Sequence, residues 1–205
     1  FYKSAQEVYK ISQAATQEQR QFALYWADDP GKTPTPAGHW AFIANDLLTT
    51  RKANLAEAAA THARLNIAMT DAFTAGWATK YALNVLRPVT YVQSVFDSNW
   101  VPSLMTTPPF PEYPSGHSVQ SSAAAGVLNQ IFGANTTFTD NTHNDRGWGP
   151  RTFPSFNAAA NEALQAIVVT EVNQAVQHER ADCAYPGCVA PPAADPGRKA
   201  DLPDG

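Results

Sequence analysis

The chain has 205 residues, 44% of them hydrophobic, and this length and composition predict one globular domain with a sizeable core. The formal net charge is −4 and the basic residues form no long run, which argues against binding to nucleic acid or to a membrane surface. No apolar stretch approaches the roughly 20 residues that a membrane span needs. Because Phe1 rather than methionine begins the sequence, we expect an N-terminally truncated or processed protein, and a periplasmic or secreted location is favoured.

Two helices are predicted before the longest one. Residues 4–27 carry an apolar stripe at helical spacing, and Ser4 with Glu7 three residues later has the pattern of a capping box. After a proline-rich turn, residues 39–48 form a shorter predicted helix. His39 begins this helix, and it is expected to pack against its neighbours or to cap the helix rather than to act in catalysis.

The third predicted helix is the longest, from Asn54 to about Leu86, and it is rich in alanine. Glu57, three residues after Asn54, indicates a second capping box, and Pro88 ends the helix because it lacks a backbone N–H. A period close to 3.6 predicts one buried strip on this helix. Its members are Leu55, Ala58, Ala59, His62, Leu65, Ala68 or Met69, Ala72, Gly76 and Thr79. His62 is therefore interpreted as a core histidine and not as a ligand.

A proline-stiffened approach leads into the helix around which the chain is organised. Residues 91–100 form a short predicted helix, and four prolines between positions 108 and 114 then exclude helical structure. From Gly116 the apolar spacing becomes helical, with Ser115 as the N-cap and Gly133 as the end. The unpaired N–H groups and the positive dipole of such a helix start attract anions.

The last third of the chain has a mixed character. Residues 134–154 have neither strand nor helix periodicity and are predicted to form a long irregular loop, in which His143 is solvated or reaches a site as part of a lid. A final helix is predicted from Ser155 towards Val176, and residues from Cys183 onwards are expected to be disordered. Two nearby cysteines there allow a local disulfide in an oxidising compartment. The absence of an alternating strand pattern predicts an all-α fold, a helical bundle.

Lys80 and Arg87 are the cations that fit the start of this central helix. They lie seven residues apart, which is about two turns, and so face nearly the same way from the end of the third helix. Set beside Ser115, Gly116 and His117, they would form an oxyanion pocket with a point charge, a forked planar donor, backbone N–H groups and one titratable imidazole. The alternatives are an ordinary capped helix after a proline-rich loop and two solvated surface cations.

Residue types and spacing together resemble the first two signature motifs of one superfamily, that of the vanadium-dependent haloperoxidases and the type 2 phosphatidic acid phosphatases. The pattern is Lys80, six residues, Arg87-Pro88, and then Tyr-Pro-Ser-Gly-His at residues 113–117. Residues 29–36 and 38–40 are also similar to the soluble bacterial haloperoxidase-like members. The resemblance covers roughly three quarters of the chain, and it implies the helical-bundle fold of that superfamily.

The resemblance implies a role for each matched residue. Lys80, Arg87, Ser115 and Gly116 would bind the oxygens of vanadate or phosphate. His117 would be the acid–base residue, and Lys80 would also polarise the bound peroxide.

Two aromatic residues bear on the branch of the superfamily. Trp77 precedes Lys80 by about one turn, and Phe110 precedes His117 by seven residues. Similar positions in fungal-type chloroperoxidases form the aromatic wall of the halide site, so the resemblance assigns Trp77 and Phe110 to a halide pocket. The alternative is that both are ordinary core aromatics.

The sequence departs from the family pattern at the third motif. That motif is Ser-Arg, six residues and then a histidine, which binds vanadium in the haloperoxidases and acts as the nucleophile in the phosphatases. Asn173 stands at about the position of this histidine, and His178 is the nearest substitute. A change of reading frame near Ala163 is one hypothesis for the departure. We therefore expect a haloperoxidase/phosphatase-like helical domain over residues 1–163 and a divergent segment over residues 164–205, helical at first and then disordered.

The function implied by the resemblance is that of a vanadate-dependent haloperoxidase-like protein, which oxidises halide with hydrogen peroxide and is impaired by the missing third motif. The alternatives are an acid phosphatase acting on phosphate monoesters and a catalytically inactive anion-binding remnant. Vanadate is the expected cofactor, and phosphate would fit the same pocket. The sequence predicts neither the halide nor the organic substrate nor an oligomeric state.

Overall fold

A computed structural model describes residues 1–29, 31, 33–102 and 107–169, and for residues 167–169 it describes the backbone alone. The described residues form seven α-helices and one two-stranded antiparallel sheet, so the predicted all-α helical bundle is confirmed. The elements are α1 (Tyr2–Ala14), α2 (Gln17–Tyr25), α3 (Thr35–Thr50), α4 (Leu55–Leu83), α5 (Pro88–Val95), α6 (Gly116–Phe132), β1 (Phe138–Asp140), a 3₁₀ turn (Asn144–Arg146), β2 (Arg151–Phe153) and α7 (Phe156–Val169). Within the described ranges, no helix is both long and apolar enough to cross a membrane.

Helix α6 is the centre of the bundle, because α3, α4 and α7 all pack against it. Its small residues Ala124 and Ala125 are buried, which lets the neighbouring helices approach closely. The main core contains Trp40, Leu65 and Leu128 among its buried members. Trp40 also donates a hydrogen bond from Nε1 to the buried Ser121 Oγ at 3.0 Å, so its one polar atom is paired inside the core.

The first predicted helix is in fact two helices. The chain breaks at Ala15–Thr16, where Thr16 Oγ1 accepts from Gln19 N at 3.1 Å and Thr16 N donates to Gln19 Oε1 at 2.8 Å. This capping box begins α2, whereas α1 already begins at Tyr2 and the expected capping box at Ser4 does not occur. The prediction missed the break because the apolar spacing continues across it.

Helix α4 starts as predicted, with a capping box between Asn54 and Glu57, and ends at Leu83 rather than near Leu86. Asn84 takes a left-handed backbone conformation with a φ of 47°, which terminates the helix before Pro88 does. Arg87 therefore lies beyond α4, as the N-cap of α5, and the expected placement of Lys80 and Arg87 two turns apart on one helix is wrong. The buried face of α4 holds Thr61, Leu65, Met69, Gly76 and Lys80. The predicted strip is therefore right at its centre and wrong at its start, since Leu55 is 85% exposed and His62 is only half-buried.

Residues 134–154 are more ordered than expected. β1 and β2 pair as a small antiparallel sheet in which Phe138 faces Phe153, and Phe138 also stacks on Phe156 of α7 with ring centres 4.9 Å apart. The expectation of an irregular loop throughout was wrong because three-residue strands are too short to show a period of two. The hairpin is held by its aromatic contacts with the core.

The remaining predicted helices are placed as follows. α5 lies over Pro88–Val95, somewhat earlier than the predicted 91–100, and packs on α1 around Val8 and Val92. α6 has the predicted bounds and ends before Gly133. α7 begins at Phe156 as predicted. The two cysteines and the predicted disordered tail lie outside the described residues.

Candidate oxyanion-binding site

Helix α6 begins where the sequence predicted, with Ser115 as its N-cap. Ser115 is buried, and its Oγ accepts a hydrogen bond from Ser118 N at 3.1 Å. The approach contains a cis peptide bond between Tyr113 and Pro114. The N–H groups of Gly116 and the residues after it belong to the first turn, whose donors have no intrahelical acceptors. One of these donors is satisfied by the Ser115 cap, and the start of the helix is a positively polarised surface.

Lys80 and Arg87 are both buried, with 1% and 7% of their surface exposed, so the alternative of two solvated cations is wrong. Lys80 Nζ donates to the carbonyl oxygens of Pro111 and Glu112, each at 2.8 Å. Arg87 Nε donates to Phe110 O at 2.7 Å, and Arg87 Nη1 donates to the buried Glu112 carboxylate at 2.9 Å. We call Lys80, Arg87 and Glu112 the cation cluster. It holds both cations against the segment that leads into α6.

Aromatic rings line the space between the cation cluster and the start of α6. Lys80 Nζ lies 5.5 Å from the ring centre of Trp77 and 5.2 Å from that of Phe110. Phe73 stacks on Trp77, with ring centres 3.7 Å apart. A Cβ atom at Gly116 would lie 2.7 Å from the Trp77 ring, so only glycine fits here without a shift. Trp77 and Phe110 are half-buried, which distinguishes them from the fully buried aromatics of the core.

His117 bridges the start of α6 and the end of α2. Its Nε2 lies 3.2 Å from the Ala27 carbonyl oxygen, which can only accept, so Nε2 carries a proton. In the neutral ring, Nδ1 is then the nitrogen that can take up a proton. Burial lowers the pKa of His117, while the charge of Asp28 and hydrogen bonds to the carbonyls of Ala27 and Trp26 act in the opposite direction.

A second group of buried polar side chains lies behind His117. His39 Nδ1 is 2.8 Å from Asp28 Oδ2, His39 Nε2 is 2.7 Å from Asp140 Oδ2, and Tyr25 donates to the same Asp140 oxygen at 2.7 Å. His143 Nε2 lies 2.9 Å from the Tyr25 carbonyl oxygen and 3.4 Å from Asp28 Oδ1. We call these five residues the histidine network. The expected packing role of His39 is thus found together with two ion pairs that the sequence did not predict.

The histidine network is charged. Burial alone would lower the pKa of His39, but its hydrogen bonds to Asp140 and Asp28 raise that pKa to about 9. Burial would raise the pKa of Asp28, and hydrogen bonds with His143 and His39 outweigh it, so the pKa falls to about 2. The pKa of Asp140 is also lowered, because His39 offsets the effect of burial. His39 is therefore an imidazolium held between two carboxylates.

Asp28, His39 and His143 also have the donor types of a metal site, with their ligand atoms within 4.8 Å of one another. A metal ligand must be an unprotonated nitrogen, whereas both ring nitrogens of His39 face carboxylates and carry protons. The residues present fit an ion-pair network better than a metal centre. His143 is 1% exposed within this network, so the expectation of a solvated or site-covering loop was wrong for this residue.

The structure places most of the predicted site residues at one end of the bundle. The seven that gather around the start of α6 are Trp77, Lys80, Arg87, Phe110, Ser115, Gly116 and His117. Asn173 and His178 lie outside the described residues. Sequence reasoning missed Glu112, Asp28 and Asp140. Glu112 carried a signal, because it is the only charged residue other than histidine in the proline-rich stretch, whereas nothing in the sequence pointed to Asp140.

The fold and this site define a helical-bundle protein with a buried pair of cations beside a helix N-terminus. The family model of the VCPO second helical-bundle domain matches residues 60–182, which include Asn173 and His178. A crystal structure described as the first bacterial vanadium-dependent iodoperoxidase is 36% identical, with a TM-score of 0.80, over 88% of this chain and 47% of that chain. No curated protein sequence matches the chain.

The chain belongs to the vanadium haloperoxidase-like superfamily. It spans about half the length of the iodoperoxidase that it matches. The family model and the structural neighbour agree with the superfamily that the Lys80 to His117 motifs indicate.

Proposed function

We propose that this chain is the vanadate-binding part of a haloperoxidase, which oxidises halide with hydrogen peroxide. The observation that carries the proposal is the cation cluster, in which buried Lys80 and Arg87 are fixed against the segment entering α6. Both cations are buried beside the first turn of α6, and the start of a helix adds further positive potential. Such an arrangement supports an oxyanion as the natural ligand.

The residues present fit vanadate, and phosphate by the same chemistry. Lys80, Arg87, Ser115 and the N–H group of Gly116 would hold its oxygens. The missing Cβ of Gly116 lets the Trp77 ring pack against the start of α6 beside them. Vanadate, when bound, supplies a Lewis acid that activates peroxide towards halide. In the family, a histidine provides the nitrogen ligand of vanadium, but this chain has Asn173 at about that position. We propose that His178, which lies within the range matched by the family model, replaces it.

His117 would exchange protons at Nδ1, since its Nε2–H is directed to the Ala27 carbonyl. Its lowered pKa keeps the imidazole in the neutral form near neutral pH, with Nδ1 able to accept a proton. Trp77 and Phe110 would exclude water and form the apolar wall against which a halide, a weakly hydrated anion, reacts.

The first test is a calorimetric titration of vanadate into the purified chain, with Lys80→Met as the variant. Loss of the charge-assisted hydrogen bonds from the Lys80 ammonium should weaken binding by about tenfold to 150-fold, which is on the order of 1.5–3 kcal/mol. Lys10→Met is the matched control, because Lys10 is an exposed lysine of α1. His178→Ala tests the substitute ligand in the same assay, and we expect it to weaken vanadate binding more than phosphate binding.

The activity test compares iodide oxidation by hydrogen peroxide with hydrolysis of p-nitrophenyl phosphate. We expect oxidation that requires vanadate and is lost in Lys80→Met. Ester hydrolysis without iodide oxidation would replace the proposal by an acid phosphatase. Anion binding with neither reaction would leave an inactive remnant.

A further inference from the structure

The histidine network lies one step behind the proposed acid–base residue. Its contact with His117 runs through the last turn of α2, where Trp26 caps the helix and the chain turns at Asp28. The Ala27 carbonyl, which accepts the hydrogen bond from His117 Nε2, belongs to the same peptide unit as the backbone N–H of Asp28. The orientation of that carbonyl therefore depends on how Asp28 is held.

We propose that His39 is a positioning residue, which holds Asp28 and thereby keeps the Ala27 carbonyl directed at His117 Nε2. His117 then presents Nδ1, and only Nδ1, for proton exchange. The role of the Nδ1 atom in turnover rests on the proposed function, whereas the position of the Ala27 carbonyl and the proton on Nε2 do not.

The backbone at Asp28 is the first support for this proposal. Its φ is 48°, in the left-handed region that residues other than glycine seldom adopt. Such a conformation persists only where the surrounding contacts enforce it, and it is found most often at functional sites. Here the Asp28 carboxylate is buried and contacts His39 at 2.8 Å on one oxygen and faces His143 at 3.4 Å on the other. The side chain thus anchors the turn that directs the Ala27 carbonyl.

The second support is that His39 is itself held by three contacts. Its two ring nitrogens contact carboxylates from different parts of the chain, Asp28 after α2 and Asp140 at the end of β1. Its ring stacks on Trp26, with ring centres 4.5 Å apart and an angle of 16° between the planes. His39 lies in α3, so one imidazolium ties together α2, α3 and the hairpin.

Asp140 completes the anchor. Its Oδ1 accepts from Thr142 N at 2.9 Å, and its Oδ2 accepts from Tyr25 as well as from His39. Tyr25 is the last residue of α2, one turn of chain before Asp28. The end of α2 is therefore held at two points, directly at Asp28 and indirectly through Tyr25.

The test follows the imidazole of His117 by nuclear magnetic resonance in the uniformly ¹⁵N-labelled chain. In the unmodified protein we expect Nε2 to be protonated and its N–H to exchange slowly with water. Asp28→Asn is the first variant, because asparagine tolerates a left-handed backbone but cannot form the ion pair with His39. We expect its His117 N–H to exchange at least about tenfold faster, which corresponds to loss of one hydrogen bond.

His39→Gln alone leaves two buried carboxylates without their cation and risks unfolding. The double variant His39→Gln/Asp140→Asn removes one of those charges together with the cation, and circular dichroism checks that it folds. His62→Gln is the control, because His62 is a half-buried histidine of α4 outside both clusters. The double variant should behave like Asp28→Asn, and the control like the unmodified protein.

Activity supplies the second readout. With vanadate bound, the variants should lower kcat for iodide oxidation while changing KM for peroxide little. A His117 ring protonated on Nδ1 alone, or an Nε2–H that exchanges equally fast in all folded variants, would overturn the proposal. If the unmodified chain oxidises no halide, the proposed function fails, while the resonance experiment still decides the positioning role of His39.

Discussion

The cation cluster and the histidine network both bury charge, yet they hold it in different surroundings. In the cation cluster, Arg87 Nη1 contacts the Glu112 carboxylate, whereas Lys80 Nζ donates to the backbone carbonyls of Pro111 and Glu112. In the histidine network, one imidazolium, His39, faces two carboxylates, and the network is closed off from solvent. The cation cluster lies beside half-buried rings and a helix N-terminus, which is where we propose that an anion binds. Buried cations beside a helix start suit the proposed binding site, whereas a fully enclosed ion-pair network suits a scaffold.

The largest expected effect is on the rate of turnover, and it is produced by a substitution of His117. His117→Ala should lower vanadate-dependent iodide oxidation by about a hundredfold to ten-thousandfold, because it removes the proton-transfer group. Vanadate affinity, measured by calorimetry, should change far less, since the cations remain. An unchanged rate in a folded variant would show that the imidazole has no part in turnover.

The histidine network should be visible in the pH dependence of stability. The folded-state pKa of His39 is raised from 6.5 to about 9, so its stabilising contribution is complete below pH 6.5 and is lost as the pH rises through 9. Asp28, with its pKa lowered from 3.8 to about 2, contributes above pH 3.8 and loses its contribution as the pH falls through 2. We expect the free energy of unfolding to drop by about 3 kcal/mol between about pH 6 and pH 10.

Urea unfolding at the two pH values measures that drop. The double variant His39→Gln/Asp140→Asn should show a much smaller decrease over the same interval, because it lacks the titrating imidazole. If the unmodified protein and the variant lose the same stability, His39 does not hold its proton as the network requires.

The charge of Glu112 is expected to affect how tightly the cation cluster binds an anion. Glu112→Gln keeps an acceptor for Arg87 Nη1 but removes the negative charge of Glu112 beside the two cations. We expect phosphate and vanadate to bind about tenfold more tightly, since less positive charge is neutralised within the protein. Calorimetry measures the change, and Glu7→Gln, an exposed glutamate of α1, is the control. Weaker binding would mean that Glu112 mainly orients Arg87.

The smallest expected effect concerns the fit of the Trp77 ring over Gly116. Gly116→Ala places a methyl group 2.7 Å from Trp77 Cη2, so the ring must move. We expect a loss of stability of about 1 kcal/mol and weaker vanadate binding, as for other overpacked sites. Adding Trp77→Phe makes room for the methyl group and should restore part of the affinity. If vanadate affinity does not recover in the double variant, the loss caused by Gly116→Ala does not come from the contact with the Trp77 ring.

The parts that were predictable from the sequence depend on short-range chemistry. Prolines exclude helix before position 114, Ser115 caps, and Gly133 ends α6, all within a few residues of the signal. The same is true of the capping box at Asn54. The expected two-turn spacing of Lys80 and Arg87 on one helix was wrong, because α4 ends at Leu83 and Arg87 is the N-cap of α5. Local rules failed where a short element gives too little pattern, as in the three-residue strands of the hairpin.

By itself, the sequence determined the all-α bundle, the start of its central helix and the set of cations, aromatics and imidazole gathered there. Only the tertiary structure decided the partners of these groups. Glu112 pairs with Arg87 across 25 positions, and His39 pairs with Asp140 across 101 positions. No local pattern encodes such contacts, because they arise when packed elements bring distant side chains into one buried space, where each charge must find an opposite charge.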